Sequence, residues 1–396
     1  MKFRFLAGLL VLISFCFLTS CTSNFSSTSN GFVFVATQGN SSVYSFAVDL
    51  TTGLLTAINK PVSVNGTTQA MVISPDGGAL YGVNTDGTVW GVPVNSDGTM
   101  GTAITATPTG LAAQDISPLD IVVDPGNKFL FIANQGNATD ISSGSILVFA
   151  ISGTGFTQVG APVPVALPTA TMNPGPSALA VTADSKFLYV ANTFDGSVDG
   201  YSVDSSGNLT SQNLPNALPG SVTISPSGLV ISPDGSLLYV ATFGSNQISA
   251  FSICDTNLST CSDVNNPDGH LTKITTNFPE TTGLGPTRMV ITNPTQPFLY
   301  SIGQQSNEIF PFKVSTGSGA LTPLAGLNTG LTPTGLAGRV GTSVNSTTGG
   351  TTNYLYVANF GGASISSFSY DSTTGVLNSV ATTATASGQP VAIAVK

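Results

Sequence analysis

Charge is what this chain has least of. Lys, Arg, Asp and Glu make up 7% of its 396 residues, too few to lace surface helices with ion pairs. Ten of them are basic and nineteen acidic, for a net charge of −9. With no basic cluster anywhere, nucleic acid is not expected as a partner. Histidine occurs once, at His270. A multi-His metal centre or a Ser-His-Asp triad therefore has no strong basis, and neither a His-x-x-x-His pair nor a nucleophile elbow is present. Asp263, Asn265 and Asp268 begin to spell a calcium loop, but Pro267 stands where the third ligand would be. No metal and no cofactor are expected.

Cysteine is scarce too, with four in all. Cys16 lies in an amino-terminal segment that reads as a leader (1–20): Lys2 and Arg4 give a positive start, and the apolar run from Phe5 to Leu18 is short for a membrane span. Leu18-Thr19-Ser20-Cys21 looks like a bacterial lipobox, with Cys21 as the lipidated residue; the plainer alternative is a secretory signal with an incidental Cys. Residues 21–30 are rich in Ser, Thr and Asn and read as a flexible tether. Export as a lipoprotein, to the periplasmic or cell-surface face of the outer membrane, follows, with the membrane as partner through Cys21. Loss of Lys2 and Arg4 leaves eight basic residues against nineteen acidic ones, a mature net charge of −11. Cys254 and Cys261 remain, within a polar insertion, and an oxidising compartment predicts a small loop disulfide between them.

Glycine is abundant, with 44 residues, as suits strands joined by tight turns. Against that background one pentapeptide recurs. Leu188-Tyr189-Val190-Ala191-Asn192 has counterparts at Leu80–Asn84, Leu130–Asn134, Leu238–Thr242, Leu299–Gly303 and Leu355–Asn359, with a looser copy at Val33–Thr37. The aromatic residues of the seven copies, Phe34, Tyr81, Phe131, Tyr189, Tyr239, Tyr300 and Tyr356, are 47, 50, 58, 50, 61 and 56 residues apart. A β-rich repeat of this length is a propeller blade of four strands. Each unit parses as an apolar strand after a Pro-containing loop, a turn, the pentapeptide strand, a third strand ending on an aromatic residue in most units, and an outer strand after a Gly-x-Leu turn. The turns are clearest at Ser74-Pro75-Asp76-Gly77 and Ser232-Pro233-Asp234-Gly235, where Pro presets φ and Gly takes the left-handed conformation.

The ends decide the architecture. The array enters at Gly31-Phe32-Val33 in a second strand, without a first strand of its own, and Gln389–Val395 is a first strand with nothing after it. Together they complete one blade, removing the sheet edges that an open array would expose. The expected fold is all-β: a seven-bladed β-propeller over 31–396, with four-stranded antiparallel blades, closed by a carboxyl-terminal inner strand that completes the first blade.

The Tyr-Val-Ala-Asn strands, the Ser-Pro-Asp-Gly turns and the closing strand resemble the lactonase-family and YVTN-repeat seven-bladed propellers, whose members include 6-phosphogluconolactonase-like enzymes. The resemblance spans about residues 31–396 and lies in turn and packing chemistry, which is specific for fold and poor for function. Two functions are expected, the first from the lipid anchor, the uncharged repeat surface and the missing catalytic set, the second from the resemblance. The leading one is a binding or interaction platform for a carbohydrate-like or protein ligand; the alternative is a lactonase-like hydrolase opening a sugar lactone at the channel mouth.

Functional groups on propellers gather at the mouth of the central channel. Two residues after the leading Pro, or its equivalent, stand Ala70, Asp120, Ala178, Gly228, Arg288, Gly335 and Ala392. Asp120 and Arg288 fall on the third and sixth blades, about 154° apart around a seven-fold ring, with small residues between. A carboxylate base and an Arg steadying an oxyanion are the minimum for opening a lactone, so these two are the candidate catalytic pair; the bland alternative is that each only bonds loop backbone or rests in solvent. Asn84, Asn134, Asn192 and Asn359, at the ends of the pentapeptide strands, are candidate ligand-binding residues, or else caps for their own backbone. His270 falls in an outermost strand, remote from the channel.

Overall fold

The computed structural model describes residues 31–153, 155–165, 171–212, 216–217, 224–255, 268–292, 296–344, 351–385 and 388–396. The leader, the tether with Cys21, and Cys261 lie outside the described residues. Seven antiparallel sheets are present, each with a path of four strands; in blades 3 to 6 a short fifth segment pairs with the third strand. Blade 1 consists of Gly31–Gln38, Ser42–Val48 and Leu55–Ser63, and its inner edge is completed by Gln389–Val395, as the sequence predicts. In blades 2 to 7 the innermost strands are Thr68–Ile73, Pro118–Val123, Pro176–Val181, Pro226–Ile231, Pro286–Ile291 and Pro333–Val344. Each inner strand packs on the next, and Pro333–Val344 packs on Gln389–Val395, so the ring is closed.

The core is distributed over the seams. Buried apolar side chains form seven clusters among the described residues, each joining two neighbouring blades. The pentapeptide explains itself here. Its Tyr is buried in the seam, and in four blades the phenol reaches the next blade's Gly-x-Leu turn. Tyr189 donates to the carbonyl of Gly269 at 2.9 Å, Tyr239 to Gly319 at 2.8 Å, Tyr300 to Gly375 at 3.1 Å, and Tyr356 to Gly53 at 3.3 Å across the closure. Burial pushes the phenols of Tyr189, Tyr239 and Tyr300 up, keeping them protonated donors. The glycine is required at these turns. At Gly375, φ is +69° and a Cβ would stand 2.2 Å from the ring of Phe298. Tyr300→Phe leaves the Gly375 carbonyl without this phenol donor in a dry seam, at an expected cost of about 1–2 kcal/mol. A denaturant midpoint lowered at constant m value is the expected readout; a midpoint equal to that of the wild type would count against these stitches.

A second repeated device lies at the top of every inner strand. Just after the strand begins, its pairing with the second strand slips by one residue, between Thr68 and Ala70 in blade 2, Pro118 and Asp120 in blade 3, and Pro390 and Ala392 in blade 1. Blades 4 to 7 repeat it. The residues bulged out are Gln69, Leu119, Ser177, Ser227, Thr287, Thr334 and Val391. A bulge re-aims side chains and turns the strand away from its partner. Three of the bulged hydroxyls use this to clasp the next blade: Ser177 donates to Pro226 O at 2.8 Å, Ser227 to Pro286 O at 2.6 Å and Thr334 to Pro390 O at 3.1 Å.

Candidate functional site

All seven bulged residues line one cavity of about 660 Å³ at the mouth of the channel. A second ring stands above them, contributed in six of the seven blades by the residue that follows, or in blade 1 ends, the second strand. In it are Gln38, Gln135, Thr193, Phe243, Gln304 and Phe360. The wall sets amides and hydroxyls into a lining whose exposed area is mostly apolar, with two aromatic rings on blades 5 and 7 flanking Gln304 on blade 6. Thr287, beneath Gln304, has a buried hydroxyl without a hydrogen-bond partner among the described residues.

The candidate ligand-binding asparagines are not in this wall. Asn84, Asn134, Asn192 and Asn359 are all fully buried, and their amide nitrogens are spent inside the blade. Asn84 Nδ2 donates to Val64 O at 3.1 Å. Asn134 Oδ1 accepts the Ser117 N–H at 2.7 Å and its Nδ2 donates to Asp115 O at 2.9 Å. Asn192 Nδ2 reaches Asp199 Oδ2 at 2.7 Å, and Asn359 Oδ1 accepts the Gly330 N–H at 3.0 Å. These residues tie the loops entering and leaving the blade to the strand end, which corrects their assignment as ligand contacts. Side chains alternate along a strand, so when Asn turns into the blade its successor turns to the mouth. Gln135, Thr193 and Phe360, one residue on, could have been found by that rule.

Asp120 and Arg288 do point into the channel, but they are not separate groups facing across a gap. Arg288 Nη1 lies 2.7 Å from Asp120 Oδ1, and Asp120 Oδ2 accepts the Leu179 N–H at 2.9 Å. The Arg side chain is long enough to cross to the third blade. Arg288 lines both the mouth and a narrower chamber of about 210 Å³ beneath it, whereas Asp120 lines only the chamber. The ion pair is thus the floor of the mouth. The Asp side chain is 10% exposed and the Arg side chain 32%. The small residues at the equivalent positions also have a tighter reason than open space. A Cβ on Gly228 would stand 2.6 Å from the Thr287 carbonyl, and one on Gly335 would stand 2.9 Å from the Ile393 side chain. His270, half-buried, precedes the outer strand Leu271–Ile274 of blade 5, far from the channel as expected.

The sequence matches the family described as a lactonase with a seven-bladed β-propeller over residues 32–161, 166–330 and 259–396. The chain belongs to this family. As a lactonase-family propeller it superposes on the periplasmic gluconolactonase of Pseudomonas aeruginosa with a TM-score of 0.72 at 16% identity, covering 93% of this chain and 99% of that one. A protein of Bacteroides fragilis provisionally assigned as a 6-phosphogluconolactonase gives a TM-score of 0.70 at 20% identity, covering 94% of this chain and 99% of that one. At these identities the likeness is one of fold. No curated protein matches the sequence.

What this propeller's mouth can do chemically follows from its wall. Amides and hydroxyls offer paired donors and acceptors, the natural complement of sugar hydroxyls, and Phe243 and Phe360 offer apolar faces. Arg288 offers guanidinium donors from the floor, with its charge already met by Asp120. Among the described lining residues of the mouth no carboxylate, histidine or cysteine is present. Asp120 has one oxygen on Arg288 and the other on a backbone N–H, an arrangement that orients Arg288 rather than one that takes a proton from water above it.

Proposed function

We propose that this lactonase-family propeller is an exported, lipid-anchored binding platform whose channel mouth takes a neutral, polyhydroxylated ligand of the carbohydrate class. The observation that carries the reading is the mouth itself, walled by Gln38, Gln69, Gln135 and Gln304 together with hydroxyls and two Phe rings, over a floor whose one cation is neutralised. The direction of the first strand fits an anchor. Gln38, at its end, lines the mouth, while Phe32, near its start, bonds Lys396 at the opposite face. A tether preceding Gly31 would leave from that opposite face and hold the mouth away from the membrane. A Cys254–Cys261 disulfide belongs to the same exported reading; what supports it is that Cys254 is buried where the polar insertion leaves the blade.

Lactone opening is the second reading, favoured by the family and by Arg288, whose donors are placed to hold a carbonyl oxygen. One experiment separates the two. Purified protein is titrated calorimetrically with glucose, with disaccharides and with glucono-δ-lactone, and lactone loss is followed beside a protein-free control. Saturable binding of a neutral sugar without acceleration of lactone loss is expected. Acceleration above the spontaneous rate that Arg288→Gln abolishes would establish the enzyme instead; neither binding nor turnover would remove carbohydrates from the mouth.

A further inference from the structure

We infer that Asp120 is the specificity-determining residue of the mouth, setting it to accept neutral ligands and to reject their anionic counterparts. The inference rests on the mouth being the ligand site. Arg288 is the one charged side chain among the described residues lining that cavity. Left alone, a guanidinium about a third exposed at the bottom of a cavity would draw anions, because low-dielectric walls focus its field and its fork fits carboxylate and phosphate. It is not alone. Asp120 meets it at 2.7 Å from the chamber below and is pinned there by the Leu179 N–H at 2.9 Å, so the carboxylate cannot swing away with ease. The equivalent positions of the other five blades are Ala70, Ala178, Gly228, Gly335 and Ala392, so no other side chain at that level can supply the counter-charge. The floor thereby presents hydrogen-bond donors without net charge. A sugar or a lactone carbonyl can accept from them, whereas an aldonate or a sugar phosphate would feel the repulsion of Asp120 behind Arg288 and of a mature chain of net charge −11 (8 − 19). If the mouth opens lactones, the same arrangement favours departure of the carboxylate product.

Asp120→Asn tests this with little change of shape. The Asn oxygen still accepts from Leu179, but the amide no longer neutralises Arg288. Gluconate and inorganic phosphate are the probes, titrated into wild type and variant at low and at physiological salt. Wild type is expected to bind neither anion measurably. The variant is expected to gain at least tenfold in gluconate affinity, with the gain lost when Arg288→Gln is added and weakened by salt, as an exposed charge requires. A purely structural role for Asp120 would not change the charge class of the ligand. A folded variant, judged by near-ultraviolet dichroism, that gains no anion affinity would overturn the inference. Should the variant not fold, wild type decides: gluconate bound as tightly as glucono-δ-lactone overturns it, and discrimination against gluconate upholds it. Failure of the ligand reading looks different, since neutral sugars would then go unbound while the Arg288-dependent gain of gluconate still appeared.

Discussion

A chain ending before Gln389 is expected to give no stable folded monomer. The strand removed is the inner edge of blade 1, where it pairs with Gly31–Gln38 at six positions from Val33–Val395 to Gln38–Gln389. Backbone pairs of this kind contribute on the order of 1 kcal/mol each. Its side chains serve both neighbouring seams. Ile393 packs with Val33, Val35 and Tyr356 on one side, and Ala392 and Ala394 pack with Phe34 and Trp90 on the other. Thr334 also loses the Pro390 carbonyl to which it is clasped. These losses together match the roughly 5–15 kcal/mol that a whole domain has to spare. What is left is worse than a gap, because Phe32, Val33, Phe34 and Val35, all buried in the intact ring, would lie along an open strand edge, the usual template for aggregation. Gel filtration and thermal melts of the truncated chain, with and without the 388–396 peptide added in trans, provide the measurement. Aggregated or unfolded protein, partly rescued by the peptide, is expected. A soluble monomer melting within a few degrees of wild type would mean that the closing strand does not hold the ring.

That this strand was legible in the sequence, while most of the mouth was not, has a physical reason. The pentapeptide, the Gly-x-Leu turns and the Ser-Pro-Asp-Gly turns are local devices. Gly77 and Gly235 sit at φ of +69° and +76°, and Ser74 and Asp76 bond each other at 2.6 Å within their own turn. Residue type and spacing are enough to read such features. The bulge is a slip between two strands, and nothing in Pro-Ser-Ala or Thr-Gln-Ala announces it; it becomes visible only once the register is known. The mouth inherited that uncertainty, because the bulge decides which residue at the top of each inner strand faces the cavity. Asp120 and Arg288 stood out as the odd members of an aligned position, yet their contact depends on the reach of one Arg side chain across the ring. The asparagines misled for a related reason. Asn at a strand end marks a loop in need of polar contacts, and the same amide serves a ligand or its own backbone according to which side of the strand it leaves.

The departure of blade 4 from its neighbours leads to a second large effect, a stability that falls as pH rises. In blade 7 the amide of Asn359 donates to Ser366 at 2.9 Å. In blade 4 the corresponding partner of Asn192 is a carboxylate, Asp199, at 2.7 Å. Asp199 is buried within its strand, and Asp195, whose own carboxyl is also pushed up by burial, stands nearby in the loop. Burial, with the repulsion of Asp195 added, pushes Asp199 from 3.8 up to about 7 despite the bond from Asn192. The sign follows by linkage. Below the unfolded value both states hold the proton and nothing is lost; between 3.8 and about 7 the unfolded chain releases it while the folded one does not, so stability declines through that window and levels off above it. The turn carboxylates act lower on the scale. Asp76 is held below the usual range chiefly by the Ser74 hydroxyl and the Gly78 N–H, and its small contribution is lost only as pH falls below its unfolded value. Stability is therefore expected to peak near the unfolded carboxylate range and to fall toward neutrality. Asp199→Asn keeps an acceptor for Asn192 and removes the titration. It is expected to match wild type in acid and to exceed it at about pH 8 by an amount on the order of 2–4 kcal/mol, read from urea unfolding of the two proteins across the pH range. A difference between them that stays constant with pH would show that Asp199 is ionised in the folded blade, with a partner that offsets its burial.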